Sequence, residues 1–288
     1  MNKILITGAT GQMGRTVLQT LLKKMPASNI HVLSRKAEKL TELQSIGLNT
    51  FVGSYEDVTS LAKAMEGVDT VLLISAGDQG DRMQEHRNVV DMAKQCGVQN
   101  LAYTSRALRD RTTLHNQLMH DHFNTEDYIQ ESGLNYTIFQ NALYTEFLQF
   151  VIHKDHLEKG ILLPTGEGRV AFTLRADQAE AIAQVLLNEP FLNKTYLFTG
   201  NKTYSFFEVA QSLSLLAGKE IKYTPVELPA FVKTMQQRGL PDAVITKISS
   251  FLLDIKNNQE TVITHDLENK LGRKPATLPE GLKMVFNF

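Results

Sequence analysis

The chain has 288 residues, 42% of them hydrophobic and 21% charged, which is enough apolar material to bury a core of one large or two modest domains. Thirty Lys and Arg nearly balance 31 Asp and Glu, and no run of five or six like charges occurs, so neither a polybasic nucleic-acid surface nor an acidic tail is present. The single cysteine, Cys96, excludes an intramolecular disulfide and any CxxC zinc spacing; in "VVDMAKQCGV" it reads as a small core residue.

In chain order, six short apolar runs read as buried strands: Lys3 to Thr7, His31 to Ser34, Asn49 to Gly53, Asp69 to Ser75, Asn100 to Ser105 and Asn135 to Phe139. Helical patterns lie between them, such as the stripe Val17, Leu18, Leu21, Leu22 and Met25, and Val89, Val90, Ala93 and Val98 before the fifth strand. Strands alternating with helices at this pitch imply parallel βαβ units with right-handed crossovers, hence an α/β fold built on a doubly wound parallel sheet. After about Val151 the rhythm loosens. "KGILLPTGEGRVAF" is turn-rich, "RADQAEAIAQVLL" is a helix with Asp177 expected as its N-cap, and another helix runs from about Ser205 to Ala217. We therefore expect a first domain over 1–153 and a smaller C-terminal α/β portion over 154–288, some of whose segments return to pack on the first. Ligands in open α/β sheets bind outside the carboxyl ends of the strands, and the smaller portion is expected to cover that edge.

The stretch "ITGATGQMGR", Ile6 to Arg15, places Gly8, Gly11 and Gly14 where the first strand becomes the first helix. In that context Gly8 permits the tight turn, Gly11 lets a pyrophosphate approach the backbone, and Gly14 lets the helix pack closely on the sheet. The free amides of the first helical turn then hold the phosphates, with Thr10, Gln12 and Met13 lining the same loop. About twenty residues on, where NAD-binding chains place a carboxylate for the ribose 2′-hydroxyl, this chain reads "VLSRK". Arg35 and Lys36 favour a 2′-phosphate, so NADP(H) is the expected dinucleotide.

Taken with "HRNVVDMAKQCGVQNLAYTS", "YTIFQNALYTEF" and "LRADQAEAIAQVL", the glycine loop resembles the NmrA-like branch of the atypical short-chain dehydrogenase/reductases. Within that branch the likeness is greatest to bacterial NADPH-dependent quinone oxidoreductases and triphenylmethane dye reductases. It extends over almost the whole chain and implies a Rossmann domain. It also implies that Ser75, Ala76 and Gly77 lie beneath a ribose, that Thr104, Asn141 and Ala142 belong to the cofactor site, and that Tyr144 and Phe147 present flat faces to an aromatic acceptor. Tyr144, Phe147, Leu148 and Val151 also fall at helical spacing, so a core stripe accounts for the two aromatics equally well.

The wider superfamily pairs a Ser with a Tyr about a dozen residues later and a Lys four beyond that. Here Ser105 is followed by Leu118 at the tyrosine position and His122 at the lysine position, with Glu126 one further turn along the same helical face. Ordinary ketones become strongly basic alkoxides on accepting hydride and need a positioned acid. Quinones and triarylmethyl cations do not make that demand. The expected function is thus hydride transfer from NADPH to a small electrophilic aromatic acceptor, without flavin or metal, with Ser105 and His122 as the catalytic candidates. A second reading keeps the dinucleotide site but makes the chain a redox sensor acting through a protein partner. The expected setting is cytoplasmic, as a monomer or homodimer with no membrane or nucleic-acid contact.

Overall fold

The computed structural model describes residues 3–77, 80–152 and 155–288. Its elements begin with β1 (Ile4–Thr7), α1 (Gln12–Leu21), β2 (Ile30–Ser34), α2 (Thr41–Ser45), β3 (Asn49–Val52), α3 (Val58–Met65), β4 (Thr70–Leu73), α4 (Arg82–Gln95), β5 (Asn100–Arg106), α5 (Gln117–Glu131) and β6 (Asn135–Asn141). There follow α6 (Leu148–Val151), α7 (His156–Lys159), β7 (Ile161–Leu163), β8 (Arg169–Val170), α8 (Arg175–Asn188), β9 (Lys194–Phe198), β10 (Tyr204–Ser205) and α9 (Phe206–Ala217). The chain ends with β11 (Tyr223–Pro225), α10 (Leu228–Gln237), α11 (Asp242–Lys256), α12 (Asp266–Leu271) and α13 (Leu278–Phe286).

Two compact units result, and each is assembled from three stretches of chain. The first takes Met1–Arg106, Asp121–Asn141 and Gln178–Tyr196; the second takes Ala107–His120, Ala142–Asp177 and Leu197–Phe288. The boundary expected between 153 and 154 lies outside the described residues.

The first unit is built on a sheet of order β3-β2-β1-β4-β5-β6-β9, in which β1 to β6 pair in parallel. β1, β2 and β4 are buried along their whole length, as strands covered on both faces must be, whereas the outermost strand β3 is only half-buried. Leu5, Leu33, Leu61, Met65, Val71, Leu101 and Tyr103 form the core beneath the helices. The chain leaves β1 toward β2 on one side and reaches β4 on the other, so a topological switch point lies at the carboxyl end of β1. The apolar stripe of α1 stops sooner than its periodicity implies. Pro26 disfavours helical geometry at Met25, and the helix closes with Leu22 as its C-cap.

The second unit has its own core, with Phe172, Phe206, Leu213, Leu252, Ile255 and Leu282 at its centre. Two small sheets serve it, β7 with β11 in parallel and β8 with β10 antiparallel. The helix read from Ser205 to Ala217 is present as α9, with a reciprocal cap. Ser205 Oγ accepts from the Glu208 amide at 3.3 Å, and the Glu208 carboxylate accepts from the Ser205 amide at 2.9 Å and from Arg169 at 2.7 Å. Burial alone would raise the Glu208 carboxyl, but the Ser205 amide, Lys202 and Arg169 outweigh it and pull it down to about 2. A depressed carboxylate contributes its stability in full above its ordinary value of 4.5, and that contribution is lost as the pH falls toward about 2. Ser205→Ala is accordingly expected to cost about 1 kcal/mol at pH 7. Glu208→Gln lowers the urea midpoint at pH 7 and lowers it clearly less at pH 3; equal losses at both values would refute the carboxylate's role.

Asp177 requires a correction. α8 begins at Arg175, so Asp177 sits inside its first turn rather than at the N-cap. Its carboxylate is buried and reaches far along the chain, accepting from Arg273 at 2.8 Å and from the Ala276 amide at 2.8 Å, which pins the segment before α13.

Candidate dinucleotide and active site

β1 delivers the chain to Gly8, whose φ of 62° lies in the left-handed region that a side chain would strain. The Gly11 amide donates back to the Gly8 carbonyl at 3.0 Å and closes the turn. Gly11 is then the N-cap of α1, where no side chain caps the helix and no acidic residue occupies the first turn. These amides suit an anion. At Gly14 a Cβ would lie 2.3 Å from the Gly8 carbonyl oxygen and 2.7 Å from Ala9 Cα, so only glycine allows the helix this close to the strand. Gln12 is exposed, whereas the Met13 side chain is buried on the inner face of α1 and leaves only its backbone for a ligand.

The loop opens on a cleft of about 500 Å³ within the first unit. Gly8, Thr10 and Gly11 form one side, and the Thr10 hydroxyl rests 3.2 Å from that of Ser34. Arg35 and Lys36, exposed just beyond β2, line it as expected, and Lys39 joins them from the following turn. The third cation was missed because it closes a short 3-10 turn that carries no strong sequence signal. Glu56 and Glu85 also border the cleft; burial, and then the neighbouring Glu56, raise the Glu85 carboxyl above its ordinary value.

The far wall is the segment leaving β4, Ile74 to Gly77. Ser75, Ala76 and Gly77 therefore stand in the cleft. Thr104 does not border it. It is 2% exposed, and its hydroxyl accepts from the Ser75 amide at 2.9 Å, so it supports the wall from behind.

Ser105 and His122 each belong to a buried network of the first unit. The Ser105 hydroxyl donates to the Glu126 carboxylate, which also accepts from Gln140 Nε2 at 3.1 and 3.0 Å. The His122 ring is 5% exposed, with an Arg82 guanidinium nitrogen 2.6 Å from Nε2 and the Tyr103 hydroxyl 2.9 Å from Nδ1. Burial, then the positive charges of Arg82 and Arg106, hold this imidazole well below its ordinary value of 6.5. Since a guanidinium can only donate, Nε2 accepts from Arg82, and the ring's single proton lies on Nδ1 facing the Tyr103 oxygen. A proton-donor role for either catalytic candidate meets a physical objection: the His122 ring proton faces Tyr103 and the Ser105 hydroxyl donates to Glu126. Arg82, Tyr103 and Gln140 were missed as polar partners, because a buried tyrosine in an apolar strand and an arginine in the first turn of a helix give no local sign of meeting a histidine.

At the carboxyl end of β6, Asn141 is fully buried, with neither its amide nitrogen nor its oxygen bonded. An orphaned buried amide is costly unless a ligand satisfies it. In the second unit, the Ala142 amide donates to the Phe198 carbonyl at 2.9 Å. The guanidinium carbon of Arg175 lies 4.4 Å from the centroid of the Tyr144 ring, and the Phe147 ring lies 5.5 Å from that of Phe251. Both aromatics are half-buried rather than free faces. Among the described residues no three His, Cys, Asp or Glu side chains gather as metal ligands, and no helix is long and apolar enough to cross a membrane.

The chain is similar to known proteins over nearly its whole length. Quinone oxidoreductase 2 of Escherichia coli (strain K12) is 32% identical over 285 residues, covering 99% of each chain. The crystal structure of the NADPH-dependent quinone oxidoreductase from Escherichia coli, complexed with NADPH, superposes with a TM-score of 0.92 at 30% identity, over 99% of this chain and 100% of that one. The triphenylmethane reductase of Citrobacter sp., complexed with NADP(H), gives a TM-score of 0.90 at 33% identity, over 98% and 100%. The NmrA-like family model matches residues 1–284, and with the glycine turn and the parallel sheet in place, the chain belongs to the NmrA-like family.

Proposed function

We propose that this protein is an NADPH-dependent oxidoreductase of the quinone-reductase type, passing hydride to flat electrophilic acceptors such as quinones and cationic triarylmethane dyes, without flavin or metal. The observation that carries the reading is the cleft in which uncapped α1 amides behind a glycine turn share a surface with Arg35, Lys36 and Lys39. The α1 amides hold the pyrophosphate, the three cations the 2′-phosphate, and the wall from Ser75 to Gly77 a ribose. The Asn141 amide, unsatisfied at the end of β6, fits a carboxamide or a ribose hydroxyl. When bound, reduced nicotinamide supplies the hydride.

The choice of acceptor follows from proton supply. Leu118 replaces the superfamily's acid, and the Ser105 and His122 protons are engaged with Glu126 and Tyr103. A ketone would leave an alkoxide with no acid to quench it. A quinone gains aromaticity and leaves a weakly basic anion that water protonates, and a triarylmethyl cation becomes neutral. Steady NADPH consumption with a quinone panel tests the reading; tight NADPH binding with no turnover on any acceptor would favour the sensor instead. Within this scheme His122 supports Arg82 and Tyr103 rather than donating. His122→Ala is then expected to slow quinone reduction by less than about 10-fold, short of the ~100-fold or more that losing a general acid brings. Comparing kcat at saturating NADPH, with the dissociation constant measured separately, separates chemistry from binding.

A further inference from the structure

Three consecutive N–H groups leaving β4 donate to side chains: Ile74 to Thr7 Oγ1 at 3.0 Å, Ser75 to Thr104 Oγ1 at 2.9 Å, and Ala76 to His86 Nε2 at 2.8 Å. The first two partners stand on the neighbouring strands β1 and β5, where the sheet itself fixes them. Ala76 has left the sheet, and its amide is tethered by a histidine from the next helix, α4.

His86 is built for this one contact. It is fully buried, and because Nε2 accepts from Ala76, the ring proton must lie on Nδ1, which donates to Thr125 Oγ1 at 2.8 Å. That hydroxyl in turn donates to the Asp121 carbonyl at 2.7 Å, so the tautomer is set by a chain ending on the α5 backbone. The edge of the Tyr103 ring holds the imidazole sideways, with centroids 5.4 Å apart at 71°. Protonation would turn Nε2 into a donor facing a donor. Burial first, and then the charge of Arg82 one helical turn earlier, keep the ring neutral by lowering it to about 3.

We infer that His86 is a positioning residue for the dinucleotide: by consuming the Ala76 amide it fixes the wall so that Ser75 and Ala76 meet the ligand with carbonyl oxygens and the Ser75 hydroxyl. Such a surface receives ribose hydroxyls and leaves the phosphates to the glycine turn. The inference rests on the proposed NADPH site and names a residue of that site which touches no ligand itself.

The test compares His86→Leu with His86→Gln, whose side-chain amide oxygen reaches the place of Nε2. NADPH dissociation constants, kcat at saturating NADPH and melting temperatures are measured for the full-length proteins. His86→Leu is expected to weaken NADPH at least 10-fold with kcat changed less than 3-fold, and His86→Gln to recover affinity to within about 3-fold of the parent. Undiminished binding by a folded His86→Leu overturns the inference. So do equal losses in both variants that track their melting temperatures, because a merely structural histidine would behave that way. If His86→Leu does not fold, Thr125→Val is read instead, since it keeps the ring but frees its tautomer: weakened NADPH binding supports the inference and parental binding overturns it. A parent protein that fails to bind NADPH refutes the cofactor site, a result distinct from either.

Discussion

Gly11→Val is expected to leave a folded protein that has lost at least 100-fold in affinity for NADPH and NADH alike. The backbone at this position, with φ −80° and ψ 170°, is ordinary extended geometry that any residue adopts. An added Cβ would meet only the Gly8 carbonyl, at 3.3 Å, so the side chain grows into the cleft rather than into protein. There it occupies the space before the α1 amides. Gly14 makes the useful contrast, because its Cβ would collide with the Gly8 and Ala9 backbone; Gly14→Val should fail in folding rather than in binding. Thermal melts with and without cofactor separate the two. A protein that binds gains about 2.7 kcal/mol at a ligand concentration 100 times its dissociation constant, and Gly11→Val should melt close to the parent but gain nothing. A full ligand-induced rise would show that the glycine loop is only a turn.

Arg35→Ala is expected to weaken NADPH roughly 10-fold to 100-fold while leaving NADH nearly unchanged. One charge-assisted hydrogen bond to a phosphate contributes about 1.5 to 3 kcal/mol, and the exposure of Arg35 places its share toward the lower end. Lys36 and Lys39 border the same cleft and retain part of the attraction, which makes the loss partial and dependent on salt. The comparison requires the intact protein to prefer NADPH. Equal affinities for the two dinucleotides there would remove the assignment of these cations to a 2′-phosphate.

The local features were the legible ones. Six apolar runs became six parallel strands, because a short apolar run marks a covered strand without partner information, even at the half-buried edge β3. The glycine turn was legible for the same reason: the positive φ of Gly8 and the close approach at Gly14 are demands met within one strand and one helix. What stayed hidden depends on contacts across long stretches of chain. Asp177 looked like a cap because its sequence neighbours are helical, while its real partners lie 96 and 99 residues on, at Arg273 and Ala276. His122 could not be told from a free acid because Arg82, 40 residues before it, had no visible connection to it. That some C-terminal segments return to the first unit was expected, but where the chain crosses between the units was not legible, since α5, α8 and β9 each contribute residues to both.

On the proposed reading, hydride transfer draws no proton from the protein. The pH dependence of kcat between pH 5.5 and 8.5 tests this, at saturating NADPH, with a quinone and with a triarylmethane dye that stays cationic across that range. His86 is held neutral across this window, at about 3, and burial with the charges of Arg82 and Arg106 holds the His122 imidazole well below its ordinary value, with Arg82 donating to its Nε2. Turnover of both acceptors, no turnover of a simple ketone, and flat profiles with no ionisation near neutrality are expected. A rate that falls with rising pH through a single ionisation near 6.5, the signature of a histidine acid, or sustained reduction of the ketone, would contradict this reading.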